Sequence, residues 1–333
     1  MVTRPDARLG WDDWFESVWP TRTGARAPAR VTRVDRGWST VLATPDEAPR
    51  RVRNIGAEVA VGDWVVTDDD RVTDVLPRRA AFVRRASFDG MRAESHTLAA
   101  NIDVAFLVHS AGLPPNQRRL ERELVLAFDS GAEPVVILTK RDVVVDVDPI
   151  VDVLTDTALG VPIIVASGTT GDGVDAIRAH ADGGRTLAFL GASGVGKSTL
   201  VNALLGRHAQ ATSQVRIGDQ RGRHTTVAAE LIELPDGGWV LDTPGLRAVS
   251  LWLSGDGIER AFSDIFELMD HCRFRDCKHD REPGCAVRAA IDGGLLDPRR
   301  FTGLERLVAE EAALEEEQKT RLRLDDRHGH RRT

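Results

Sequence analysis

Between residues 29 and about 85, apolar and polar positions alternate in short runs: RVTRV, WSTVLAT, RRVRNI, WVVT and RVTDVLP, broken at Asp46, Pro49, Gly56 and Gly62-Asp63. A period of two belongs to strands with one buried face, and five such runs in about 55 residues predict a small β-barrel. From residue 98 the pattern changes. IDVAFLV (102–108), VVILT (135–139), VPIIV (161–165) and TLAFL (186–190) are nearly continuous apolar runs, separated by helical spacings such as RRLERELVLAFDSG and DAIRAHAD. Strands covered on both faces lose their alternation, so this order predicts a parallel, doubly wound α/β sheet that binds ligands beyond the carboxyl ends of its strands. After about residue 250 the pattern is helical, ending in a Glu-rich helix from 304 to about 324 with Leu304, Leu307, Val308 and Leu314 as a sparse stripe, then a frayed RHGHRRT. The predicted division is an N-terminal extension (1–28), the barrel (29–88), the α/β domain (98–250) and a mostly helical C-terminal domain (251–333).

Composition adjusts this picture in four places. A chain of 333 residues implies more than one core. MVTRPDARLGWDDWFES lacks the apolar segment of a secretory signal and no window resembles a membrane span, so a cytoplasmic protein with no membrane association is expected. The formal charge of −7 does not suggest a nucleic-acid binder, yet residues 22–53 hold eight arginines against three acidic residues. Charge alone leaves a nucleic-acid face and a solvated barrel surface equally open. Lysine occurs four times against forty arginines, and Lys140 and Lys197 are half of them, each inside a motif where a compact ammonium differs from a planar guanidinium.

GASGVGKST comprises Gly191, Ala192, Ser193, Gly194, Val195, Gly196, Lys197, Ser198 and Thr199, with an apolar strand before it and an amphipathic helix after it. That context defines a P-loop: glycines let backbone amides approach a polyphosphate, Lys197 reaches the β- and γ-phosphates, and the Ser198 hydroxyl ligates Mg²⁺. WVLDTPG supplies Asp242 to hold Mg²⁺ through water and Gly245 to donate its amide to a γ-phosphate. Between them GRHTT offers Thr225 or Thr226 as the threonine that closes over Mg²⁺.

The tetrad Thr139-Lys140-Arg141-Asp142 ends an apolar strand ahead of the P-loop. A carboxylate at Asp142 can accept from both the N1–H and the exocyclic amine of guanine, with the Lys140 stem over the base; adenine leaves it unpaired, so discrimination of about 10³ is expected. VASGTTG, after the next strand, offers a Ser167 amide to complete the base pocket. Base reader before phosphate cradle is the order of a guanine-nucleotide sheet cut and rejoined elsewhere, which is tolerated when the old termini lie close together. The segment after Asp242 then runs directly into the C-terminal domain.

All three cysteines fall within HCRFRDCKHDREPGC. Cys272, Cys277, His279 and Cys285 make a closed tetrahedral shell suited to one structural Zn²⁺ per chain. His271 is the alternative fourth ligand, disfavoured because adjacent residues would strain one tetrahedron.

VGDWVVTDDDRVTDVLPRR, LAANIDVAFLV, GASGVGKSTLVNAL, GRHTT, LDTPGLR and CRFRDCKHDREPGCAV, in this order, resemble the ribosome small-subunit-dependent GTPase A family (RsgA, also called YjeQ) over nearly the whole chain. The resemblance implies an N-terminal OB-fold that binds RNA, a circularly permuted GTPase domain and a zinc-bearing C-terminal domain. It implies GTP hydrolysis in late maturation of the 30S subunit, with 30S and 16S rRNA as partners, binding in the GTP state and release on hydrolysis. Position 139 is Thr where the family often has Asn, and guanine affinity is expected to be weaker. Leu246 follows Asp-Thr-Pro-Gly where many switches carry a water-orienting Gln; the family lacks that Gln, its GRHTT histidine is suspected in catalysis, and His224 is the candidate here. The expected ligands are GTP and GDP with Mg²⁺, and the expected state is a monomer. The alternatives are a P-loop ATPase or kinase of another class, a permuted GTPase of the large subunit, and a nucleic-acid-binding module with a vestigial nucleotide site. Intact Lys197, Ser198 and Asp242 argue against the last.

Overall fold

A computed structural model describes residues 5–19, 28–84, 96–206, 229–242 and 255–329. A short helix α1 (Asp13–Val18) precedes five strands, β1 (Ala29–Asp35), β2 (Trp38–Leu42), β3 (Arg50–Arg53), β4 (Trp64–Asp68) and β5 (Arg71–Val75). Strand β1 pairs antiparallel with both β2 and β4, and β3 pairs parallel with β5 at Arg53–Arg71, so the sheet closes in the order β1-β2-β3-β5-β4. Closure removes the open edges. Val31, Val41, Val52, Val65 and Val72 alternate inward and fill it. A ribbon that the alternation did not predict, β6 (Ala81–Arg84) with β7 (His96–Ala100), follows.

The second sheet contains β8 (Val104–Ser110), β9 (Glu133–Thr139), β10 (Ile163–Val165), β11 (Thr186–Leu190), β12 (Glu230–Glu233) and β13 (Trp239–Asp242) in the spatial order β10-β9-β8-β11-β13-β12. All neighbours are parallel except β12, which is antiparallel to β13. The chain enters at the centre, travels out to one edge, returns to β11 beside its starting strand, and only then builds the other edge. Helices α2 (Gln117–Ser130), α3 (Asp148–Thr157), α4 (Val174–Ala179) and α5 (Lys197–Leu205) cover the sheet. Helix α2 shows how locally the sequence sets its bounds. The Asn116 side chain accepts from the Arg119 amide at 3.1 Å, Leu120, Leu124 and Val125 form its buried stripe, and Gly131 at φ +83° stops it in the left-handed region. The expected helix at DAIRAHAD is shorter, since α4 ends at Ala179 and a 3₁₀ turn follows at Asp182–Gly184.

Barrel and sheet are continuous: β1 pairs antiparallel with β12 at Arg33–Glu230. Residues 6–15, expected as an extension, lie in the crevice between them. Trp11 packs edge-on against Trp64 of the barrel at 4.8 Å, Phe15 lies 5.8 Å from the same ring, and the Trp239 indole on β13 donates to the Arg8 carbonyl at 2.8 Å. Arg30 of β1 is wholly enclosed at this junction. It donates to the carbonyls of Leu9 and Asn101 (3.1 Å) and to Thr186 Oγ1 on β11 (2.8 Å), and burial pulls its pKa down to about 10, so it stays charged at neutral pH.

The C-terminal part comprises α6 (Gly255–Ala261), α7 (Ser263–Asp270), α8 (Ala286–Asp292) and α9 (Pro298–Gly329), the last starting six residues earlier than its apolar stripe suggested. It packs on α2. A Cβ at Gly257 would stand 2.7 Å from the Val125 carbonyl, so α6 can approach α2 this closely only with glycine there. Arg300 of α9 grips Asp264 with two bonds (2.7 and 2.6 Å) and donates to the carbonyls of Thr157 and Ala261, both at 3.0 Å. Arg306 reaches the buried Glu121 on α2 at 3.0 Å.

Candidate nucleotide site and metal centre

Strand β8 lies between β9 and β11 in parallel register, so the loops after β9 and β11 emerge side by side. The loop after β11 is the P-loop. Gly191 (φ +143°), Gly194 (φ +81°) and Gly196 (φ +106°) take conformations that side-chain-bearing residues avoid, and a Cβ at Gly191 would meet the Val108 carbonyl at 2.5 Å. Helix α5 starts at Lys197, directing its free amides at the loop. The Lys197 ammonium donates to the carbonyls of Gly191 (2.7 Å) and Ala192 (2.6 Å), which keeps it over the loop's mouth. Val195 is buried, while Ser193, Ser198 and Thr199 are exposed on the open side.

The base loop grips the phosphate loop. The Thr139 hydroxyl, buried at the end of β9, lies 3.0 Å from the His109 carbonyl and also contacts the Val195 carbonyl of the P-loop. Lys140 sits at φ +59° and donates to the Gly194 carbonyl at 2.7 Å. Arg141 turns away to the Val144 carbonyl at 3.2 Å. Asp142 is exposed, with one oxygen held by the Ser167 hydroxyl at 2.6 Å. The Ser167 amide, expected to close the base pocket, instead donates to the Asp172 carbonyl at 2.8 Å. Residues 167–172 fold into a turn that consumes that N–H, and the hydroxyl is the Ser167 group that meets Asp142. The next residue, which the sequence reading missed, approaches α5 closely: a Cβ at Gly168 would lie 2.9 Å from the Thr199 carbonyl. The signal was available in the Ser-Gly step of VASGTTG.

Asp242 ends β13, the parallel neighbour of β11, and is exposed on the P-loop side of the sheet. His224, Thr225, Thr226, Gly245 and Leu246 lie outside the described residues.

The second site is the cysteine cluster. One ligand atom each from Cys272, Cys277, His279 and Cys285 fall within 4.8 Å of one another. Cys272 Sγ is 3.6 Å from His279 Nδ1 and 4.0 Å from Cys285 Sγ, and Cys285 Sγ is 3.5 Å from the same nitrogen. Such edges suit a tetrahedron around a cation with bonds of about 2.0–2.3 Å. His271, the alternative ligand, is exposed at the end of α7 and outside this group. His279 turns inward through a left-handed backbone (φ +57°), and Cys285 caps α8, its sulfur accepting from the Arg288 amide at 3.4 Å. Burial and the two neighbouring thiols push Cys277 up to about 11, whereas at Cys272 burial is outweighed by the amides of Ala286 and Val287, which hold its pKa down. Three thiolates this close repel one another unless a cation joins them. The cluster can hold a metal ion.

Residues 75–252 match the family profile described as RsgA GTPase. The chain is 41% identical to the small ribosomal subunit biogenesis GTPase RsgA of Streptomyces coelicolor, over 97% of its own length and 91% of that protein's. It superposes on YjeQ from Thermotoga maritima with a TM-score of 0.62 at 25% identity, covering 86% of this chain and 98% of that one. YloQ, a circularly permuted GTPase, matches in fold with a TM-score of 0.63 at 24% identity, covering 89% and 98%. The P-loop after the central strand, the preceding base loop bound to it and the coverage of the relatives lead to one conclusion: the chain belongs to the RsgA GTPase family.

Proposed function

We propose that this protein is a GTP hydrolase of late 30S maturation, binding the small subunit and its 16S rRNA in the GTP state and leaving after hydrolysis. The observation that carries the reading is the joining of base loop to phosphate loop through Thr139 and Lys140. It supports a guanine reader and a triphosphate cradle serving the two ends of one ligand. The near full-length likeness to a relative named for small-subunit biogenesis supports the partner.

In this reading Asp142, braced by Ser167, selects guanine, and the amides of residues 191–199 wrap the phosphates. Lys197 swings from its loop carbonyls to the β- and γ-phosphates. Ser198 and Asp242 would hold Mg²⁺, Thr225 or Thr226 would close over it, Gly245 would donate to the γ-phosphate and His224 would orient the attacking water. The four-ligand cluster takes Zn²⁺ as a structural ion. Residues 29–88 act as an RNA-binding OB-fold, 98–250 as the GTPase and 251–333 as the metal-bearing domain, in the cytoplasm where ribosomes assemble. Described residues include no helix long and apolar enough to cross a membrane.

GTP turnover with and without 30S subunits tests this. Preference for GTP over ATP and acceleration by 30S are expected; equal use of ATP, or stimulation only by the large subunit, would overturn it.

A further inference from the structure

The two rows of side chains on β8 face different cores. Val104, Phe106 and Val108 pack with residues of α4 and α5, whereas Ala105 and Leu107 share the other core with Leu120 and Leu124 of α2. The next residue in that second row is His109. It is buried, and its Nε2–H donates to Oε2 of Glu123 on α2, also buried, at 3.0 Å. Neither side chain belongs to the base loop or the phosphate loop.

Two leucines would continue the apolar row. An imidazole and a carboxylate must instead give up water, and exchanging such a pair for apolar residues is often neutral or stabilising. Burial therefore does not explain why the pair is there. A satisfied polar contact inside a core fixes a direction that interchangeable methyl groups leave loose. That direction bears on the backbone of β8, where the His109 carbonyl lies 3.0 Å from the Thr139 hydroxyl and the Ala111 amide donates to the Thr139 carbonyl at 2.8 Å. The same hydroxyl contacts the Val195 carbonyl of the P-loop. The end of β8 is thus the seat on which base loop and phosphate loop are joined, and the His109–Glu123 contact ties this seat to α2. Helix α2 is a firm anchor, since Arg306 of α9 meets Glu121, two residues before Glu123, at 3.0 Å.

We infer that His109 and Glu123 are positioning residues of the nucleotide site, holding the end of β8 so that its carbonyl places Thr139 between base loop and P-loop. This rests on the guanine-nucleotide reading of the site and extends it to a residue of α2 that touches no part of the ligand. The pair sets how well the base end is organised before nucleotide arrives, and the phosphoryl chemistry at the other end does not depend on it.

The test uses full-length His109→Leu/Glu123→Leu, which keeps the row apolar and filled, and Glu123→Gln, which keeps an acceptor for the imidazole. Fluorescent GDP, GTP and ATP analogues are titrated at equilibrium, and GTP turnover is followed with 30S subunits. The leucine variant should melt near the wild-type temperature yet bind GDP and GTP each about fivefold more weakly, as for the loss of one neutral hydrogen bond. Its KM for GTP should rise with kcat unchanged. Glu123→Gln should bind nearly as wild type. In a Thr139→Val background the two leucines should cost no further affinity, because the hydroxyl through which they act is gone. Should the leucines not be accommodated, Glu123→Ala removes the same contact and carries the same expectations. Wild-type affinity in the leucine variant, a loss confined to GTP, a fall in kcat, or a full-sized loss persisting beside Thr139→Val would overturn the inference. On a wild-type protein that prefers GTP to ATP, such a result removes the brace alone; a wild-type protein that binds ATP equally well removes the guanine reading, and the brace with it.

Discussion

Replacing Thr139 by valine removes one hydroxyl and little else, because the two side chains share a shape. Thr139 is 2% exposed, its hydroxyl held between the carbonyls of His109 and Val195. It carries one proton and so donates to only one of them at a time. Valine therefore removes a single neutral hydrogen bond and bares one carbonyl, for a total of about 1–2 kcal/mol. Part of that appears as lost stability of the nucleotide-free protein, measured by urea unfolding. The rest appears on binding, since a P-loop released from the base loop must be ordered again by the ligand. The contact lies at the base end of the site, so GDP and GTP should weaken together, by up to about tenfold each, with their ratio unchanged. Fluorescent GDP and GTP analogues in an equilibrium titration read both affinities, and Thr139→Asn, which returns a donor, should recover much of the loss. Wild-type midpoint together with wild-type affinity, or a loss confined to GTP, would refute the reasoning.

Gly191→Ala should lower 30S-stimulated GTP turnover about 10²-fold without unfolding the chain, because its Cβ would press on the Val108 carbonyl and displace the phosphate loop; near-normal turnover would count against a P-loop role. Cys285→Ser should drop bound metal well below one atom per chain by elemental analysis, and undiminished metal would remove Cys285 from the ligand set. Arg300→Ala should cost about 3–5 kcal/mol in urea, since it strands the Asp264 carboxylate and frees two carbonyls, with Arg300→Lys recovering only part. Glu121 has a raised folded pKa because burial against α9 opposes its charge more than Arg306 and Arg300 favour it. The native state thus keeps a proton that the unfolded chain has released, and this contribution to stability is present below the ordinary value of 4.5 and lost as pH rises through the raised one. Against Glu121→Gln, which does not titrate, wild-type protein should therefore lose relative stability with rising pH in that window; a relative gain would reverse the assignment.

Local chemistry was legible wherever one residue type at one spacing has few alternatives. The inward valines of β1 to β5 alternate because a barrel wall has two unlike faces, and the runs in β8, β9 and β11 do not because helices cover both sides. The P-loop glycines and the Cys3His spacing likewise stand out, since backbone approach and tetrahedral coordination tolerate few substitutes. Less legible were contacts whose partner lies far along the chain. The Ser167 amide, expected to face a base, donates to the Asp172 carbonyl and the hydroxyl meets Asp142, because a turn closed five residues further on decides which group is taken. Residues 6–15 carried no periodicity to mark them as an interdomain wedge, and the Trp11–Trp64 contact that makes them one spans two separately patterned segments.

By itself, then, the sequence determined the strands of the barrel and β8 to β11 of the sheet, which loop can cradle phosphate and which four residues can share a cation, because each depends on neighbours within about one element's length. Tertiary structure alone decided that Thr139 would touch Val195, that Arg30 would reach Thr186 across 156 positions, and that α6 would lie against α2 at Gly257. Such pairings follow from how covered faces stack and how strands order themselves in space, and burial of apolar area is indifferent to the distance along the chain between the surfaces it joins.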